Sequence, residues 1–167
     1  MYLDEKFLNF FNRYFDDAYR YVFFKVGNKW DTDDIVSEAF KRVYENFSNI
    51  KSSPKVYLFV TLQHVITDHY RRKKNFCLED GCKDFYSYDL EEIFIEKEEL
   101  NTLKKVLKTL NKEELELINL RFFSQLSFKE ISTVLNKSEG ALKMQCKRII
   151  EKLRLHIKKY SEGGKIW

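Results

Sequence analysis

At 167 residues, with one Pro, five Gly and a formal charge of only +4, the chain is long enough for one ordinary domain or two small ones. Hydrophobic residues make up 44% and charged residues 34%, and scarce breakers among many Lys and Glu point to helices. No apolar run approaches the roughly 20 residues of a membrane span, the opening "MYLDEKFLNFFNRYFDD" has no secretory core, and three Cys are an odd number, so a cytoplasmic chain with free thiols and no membrane insertion is expected.

From Glu5 to about Val26, apolar residues recur at helical spacing as Phe7, Leu8, Phe11, Tyr14, Phe15, Ala18, Tyr19, Val22 and Val26. "GNKWDT" interrupts the pattern, and Asp31, Thr32, Asp33 and Asp34 are expected to cap a second helix and supply its acidic first turn. The inner face of that helix reads Ile35, Val36, Ala39, Phe40, Val43 and Phe47. Its outer face reads Asp34, Ser37, Glu38, Lys41, Arg42 and Glu45. "SNIKSSP" is a loop, and a third helix is expected from about Lys55 to Lys74. There Leu58, Phe59, Leu62, Val65, Ile66 and His69 share one side, while Val60, Gln63, His64, Thr67, Asp68 and Arg71 share the other and lead into Arg72, Lys73 and Lys74.

Between Phe76 and Glu99, Asp and Glu outnumber Lys nine to two and periodicity is weak, the character of an acidic linker. Four helical stretches follow. Leu100, Leu103, Val106 and Leu107 belong to one, Leu115, Ile118 and Phe122 to the next. Ser127 and Glu130 form a capping box before the third, which runs to Leu135, and Ser138 caps a last helix reaching about Lys159. "SEGGKIW" resembles a frayed tail. The expected layout is all-α: a helical domain over 1–75, an acidic linker over 76–99, a second helical domain over 100–160 and a tail over 161–167.

The segment "LSFKEISTVLNKSEGALKMQCKRIIEKLR" joins two amphipathic stretches through the short turn "NKS". With Leu142 at zero, Cys146, Ile149, Leu153 and Ile157 fall within about 60° of it at 100° per residue. Gly140, Met144, Lys147, Arg148 and Glu151 fall on the far side, with Lys143 and Arg154 flanking. A helix with one buried face and one basic face, preceded by a packing helix and a short turn, is the requirement for helix-turn-helix binding in a DNA major groove. An ordinary helical bundle with a solvated basic face shares the same pattern.

The stretch "LNKEELELINLRFFSQLSFKEISTVLNKSEGALKMQCKRIIEKLR" closely resembles region 4 of bacterial extracytoplasmic-function sigma factors, through Leu110, Leu120, Arg121, Leu126, Ser127, Glu130, Ile131, Leu135, Ser138, Gly140, Lys143, Arg148 and Leu153. "DTDDIVSEAFKRVYENF" resembles a region-2 motif of that family at Asp34, Val36, Glu38, Phe40, Val43 and Tyr44. "VYLFVTLQHVITDHYRRKK" resembles another at Leu58, Asp68, Arg71 and Arg72. The three motifs stand in the family's order over roughly residues 5 to 160.

What the resemblance implies is a dissociable promoter-recognition subunit of bacterial RNA polymerase. Asp34, Ser37, Glu38, Lys41 and Arg42 would dock on the clamp helices of the largest core subunit. Val60, Gln63, His64, Thr67 and Arg71, with the loop from Ser48 to Lys55, would take the −10 element. Lys143, Met144, Lys147 and Arg148 would take the −35 element, while region 4 sits on the flap of the second-largest subunit. The acidic linker would thread the polymerase's basic cleft. Ser37, Tyr57, the triplet Leu62-Gln63-His64 and Met144-Gln145 depart from the family pattern, so promoter sequence does not transfer from relatives.

No Walker loop, phosphate cradle or nucleophile elbow is present, and neither catalysis nor a cofactor is expected. His64, His69, Cys77 and Cys82 are close in sequence, but the two His lie about 140° apart around their helix, so no metal site is expected; a disulfide between Cys77 and Cys82 remains open. A stand-alone helix-turn-helix regulator is the alternative; it would bind DNA tightly without polymerase. The short stretch after the last helix leaves control to a separate anti-sigma protein as the expectation.

Overall fold

Gly27 is where the first helix stops. The structure, a computed structural model, describes residues 2–76 and 103–163 apart from Lys104. Helix α1 (Tyr2–Val26) ends as Gly27 enters the left-handed region at φ 78° and its N–H bonds Phe23 O at 2.9 Å. Asn28 then caps α2 (Lys29–Asn46), its Oδ1 accepting the Asp31 N–H at 2.9 Å. The expected cap from Asp31 to Asp34 is therefore corrected: the helix starts earlier, and Asp31 lies inside its first turn. A single 3-10 turn (Phe47–Asn49) and a short loop lead to α3 (Pro54–Phe76). The lone Pro occupies the first helical position, where a missing N–H costs nothing.

Freed from capping, Asp31 turns towards α3. Its carboxylate accepts from Asn28 Nδ2 at 2.8 Å and from Lys73 Nζ at 2.5 Å. His69 Nε2 lies 3.1 Å from its other oxygen, a charge contact rather than an aligned hydrogen bond. Burial alone would raise the Asp31 pKa; the bonds from Lys73 and Asn28 and the charges of Lys73 and His69 reverse this and hold it below 3.8.

These ties set α2 beside α3, and the apolar faces read from the sequence meet there. Ile35, Val36, Ala39, Phe40 and Val43 are buried from α2, and Leu58, Phe59, Leu62, Val65 and Ile66 from α3. Each of these side chains other than Ala39 contributes about 1.5–3 kcal/mol by leaving water. On α1 the buried stripe is Phe10, Ala18, Tyr21, Val22 and Phe24, while Leu8, expected inside, is 56% exposed. The flanking rings pack edge to face: Phe11 lies 4.8 Å from Phe40, and Phe7 lies 5.3 Å from Phe47.

The chain divides into two compact units, residues 1–89 and 90–167. The acidic stretch expected as a linker lies outside the described residues, save Phe76, the last residue of α3. In the second unit Val106 and Leu107 are buried as the periodicity expects. Asn111 then caps α4 (Lys112–Ile118) through a reciprocal box with Glu114. A π turn (Asn119–Phe123) follows, in which Ser124 N–H bonds Asn119 O. The extra residue in that turn rotates the face, so Leu117 and Leu120 are buried while Phe122, expected inside, is 52% exposed. The Ser127–Glu130 box opens α5 (Phe128–Leu135) as expected.

Asn136, left-handed at φ 52°, ends α5, and Ser138 Oγ accepts the Ala141 N–H at the start of α6 (Glu139–Gly163). Leu142, Cys146 and Ile149 are buried, Leu153 is half-buried and Ile157 is 44% exposed. The seam thus runs out where α6 outlasts the short helices it packs on. The helix also continues through Gly163, into the expected tail. All regular structure among the described residues is helical.

Two outcomes are expected. Leu142→Ala destabilises the second unit by about 2–5 kcal/mol, whereas Met144→Ala, on the opposite face, costs less than about 0.5 kcal/mol in urea unfolding; equal costs would mean the face is misplaced. Asp31→Ala destabilises the first unit by about 2 kcal/mol near neutral pH. The contribution of Asp31 is fully present above its unfolded pKa and lost as pH falls through the lower folded value. The variant therefore shows a shallower loss of stability below pH ~4 than the parent, followed by the amide signals of α2; identical acid limbs would contradict the assignment.

Candidate nucleic-acid interface

The second unit presents the outer face of α6. Lys143, Met144, Lys147 and Arg148 are all exposed there, Met144 at 55%. Lys147 and Arg148 form no charge pair among the described residues, so both extend to solvent with their donors available. Lys143 is engaged: its Nζ bonds Glu139 at 2.7 Å and stands 6.0 Å above the Phe128 ring. An exposed pair of this kind contributes little and is readily exchanged for a phosphate. A Cβ added at Gly140 meets nothing within 4 Å, so the start of the helix is open.

Neighbouring groups hold this helix at a defined angle. Arg121 donates to Leu126 O at 3.0 Å and stacks on Phe128 at 5.0 Å, fixing the strap before α5. The turn is closed in both directions, Lys137 N–H to Ser132 O and Ser132 Oγ to Lys137 O. Further along, Lys152 of α6 reaches Glu114 of α4 at 3.0 Å. Cys146 sits in the seam with its thiol pKa raised, burial outweighing the opposing charge of Arg121, and it is inert packing.

In the first unit, α3 brings Val60, Gln63, His64, Thr67 and Arg71 onto one stripe. His64 and Arg71 are exposed, and the other three are half-buried. The Thr67 hydroxyl donates to Gln63 O at 2.8 Å, so it is satisfied within its own helix. Lys55 Nζ stands 5.6 Å over the Tyr14 ring, tying the first turn of α3 to α1.

On α2, Asp34, Ser37 and Lys41 are exposed, whereas Glu38 and Arg42 are half-buried. The reason is a pair that periodicity does not reveal. Arg42 bonds Glu38 at 2.7 Å along its own helix and reaches Asp68 of α3 at 3.5 Å. From the sequence Asp68 reads as part of α3's polar side and as a match to a family motif, not as a partner of Arg42. A helical i,i+4 spacing signals Glu38–Arg42, but nothing in the sequence signals a partner 26 residues away. Asp31 and Lys73 were missed for the same reason. No cluster of metal-ligating side chains occurs among the described residues, and Cys77 and Cys82 lie outside them.

Residues 10–76 match the family described as Sigma-70 region 2, and residues 106–155 match Sigma-70, region 4. The chain is 25% identical to the ECF RNA polymerase sigma factor SigX of Bacillus subtilis over 93% of this chain and 85% of SigX. It is 27% identical to the ECF RNA polymerase sigma factor BldN of Streptomyces coelicolor over 80% of this chain, but spans only about half of BldN's length, 53%. The sigma factor RpoE of Bartonella quintana, solved in complex with the anti-sigma factor NepR, has the same fold, with a TM-score of 0.71 at 17% identity over 92% of this chain and 98% of that one. CnrH, solved with the cytosolic domain of CnrY, aligns with a TM-score of 0.61 at 19% identity over 93% of this chain and 89% of that one. Two sigma regions, in order on one chain, place this protein in the sigma-70 family, among the extracytoplasmic-function sigma factors.

Proposed function

We propose that the chain is an alternative sigma factor that works by binding in two places, without catalysis of its own. The carrying observation is that region 2 and region 4 occur in that order on separate units, with α3 and α6 each presenting a polar stripe opposite a packed apolar face. In this reading residues 1–75 dock core polymerase and capture the −10 element, 76–99 thread the polymerase as an acidic linker, and 100–160 take the −35 element.

Lys143 exchanges Glu139 for a backbone phosphate, and Met144, Lys147 and Arg148 face base edges in the major groove. His64, Gln63 and Arg71, with Val60 and Thr67 between them, line the path of the separated −10 strand, where cations and flat rings suit unpaired bases. Asp34, Ser37, Glu38, Lys41 and Arg42 meet the clamp helices of the largest subunit, and their mixed charge suits a dissociable interface. RpoE and CnrH were each solved with a bound protein, which supports control of this chain by a separate anti-sigma factor. No helix among the described residues is long and apolar enough to cross a membrane.

Run-off transcription with bacterial core polymerase on fragments of the source genome tests this. New 5′ ends that need both proteins are expected, and Arg148→Ala weakens promoter binding by about 1–3 kcal/mol with relaxed preference at one −35 position. Tight sequence-specific DNA binding without core, and no new 5′ ends with it, would make the chain a stand-alone regulator instead.

A further inference from the structure

Between α2 and α3 runs a groove of about 340 Å³. Its walls carry Asp34, Glu38 and Arg42 from α2 and Asp68, His69 and Arg72 from α3. Ile35 and Val65, both buried, form its floor. The groove is thus a charged cleft over a closed apolar base, and half of its charge belongs to the helix opposite the expected docking face.

The orientation of Arg42 makes that division consequential. Its guanidinium does not point outward from α2; it lies across the groove, bonded to Glu38 at 2.7 Å and directed at Asp68 at 3.5 Å. One Asp68 oxygen faces Arg42, and the other lies 3.8 Å from Arg71. Asp34 and Arg72, by contrast, form no charge pair among the described residues, though both line the groove. The cleft therefore offers one internally paired centre, Glu38–Arg42–Asp68 with Arg71 closing its charge balance, flanked by an available anion and an available cation.

We propose that the polymerase-docking surface is this two-helix groove rather than one face of α2, with Asp68 as a positioning residue for Arg42 and Arg72 as a direct contact. The proposal rests on the reading that this side of the first unit docks core polymerase. The partner chemistry it fits is a helical segment that presents a cation to Asp34 and a carboxylate to Arg72. Uncompensated charges at both ends reject a partner of a single sign, which is how charged rims confer specificity.

The test is the affinity of the full chain, labelled at its N-terminus, for purified bacterial core RNA polymerase in the absence of DNA, so that any loss of Arg71 function in strand capture does not enter. Asp68→Asn and Arg72→Gln are each expected to weaken binding about 3–10-fold, the range for partly exposed charges, and to flatten its salt dependence. Asp68→Glu restores most of the affinity. Arg72→Gln decides the matter if Asp68→Asn disturbs folding, because Arg72 forms no charge pair among the described residues. If both bind as the parent does while Asp34→Asn or Lys41→Gln binds more weakly, docking is confined to α2 and the proposal is wrong. If none of the four weakens binding, the docking reading of this side falls, and the proposal with it.

Discussion

The first unit turns on the carboxylate of Asp31. Asn28 caps α2 with one end of its amide and holds Asp31 with the other, and Lys73 and His69 approach from α3. The two joints that define the unit, the α1–α2 corner and the α2–α3 pairing, therefore share one half-buried acid. Such a group is costly out of water unless every lone pair is met, and here charge-assisted bonds outweigh the desolvation. With the α2 start pinned to the α3 end, Arg42 comes within reach of Asp68, and the stripe carrying His64 and Arg71 is left facing outward.

The second unit solves a related problem with smaller means. Its helices α4 and α5 are short, 7 and 8 residues, lengths at which an isolated helix is not stable in water. Each carries a reciprocal capping box, and the same Glu114 oxygen that closes the first box also receives Lys152 from α6. Helix α6 is thereby tied to the cap of α4 beneath it. Arg121 and Phe128 complete the platform, and Phe128 stands under Lys143, so the start of the exposed face of α6 is braced from below.

Faces were legible in the sequence where a helix packs along its whole length. Ile35 to Val43, Leu58 to Ile66 and Leu142 to Ile149 follow the helical period and are buried accordingly. The failures have local causes. Asn28 and Asp31 are equally good caps, and only the turn at Gly27 selects the first. The π turn leaves no composition signal, and helical spacing alone puts Phe122 on the wrong side. Ile157 keeps the period after its packing partners have ended. The charge pairs across α2 and α3 belong to tertiary structure and were invisible. The stripes on α3 and α6 were readable as faces, but their roles came from family motifs, since periodicity does not distinguish a DNA-reading face from a solvated one.

In the proposed function, two separate exposed stripes meet two separate promoter elements only when polymerase brings them there. Photo-crosslinkers placed at His64 and Lys147 test this most directly on a promoter bound with core polymerase. The account predicts that the His64 probe labels the −10 strand, the Lys147 probe labels the −35 duplex, and both signals vanish when core is omitted. Labelling of one shared element by both probes, or labelling undiminished without core, would contradict it.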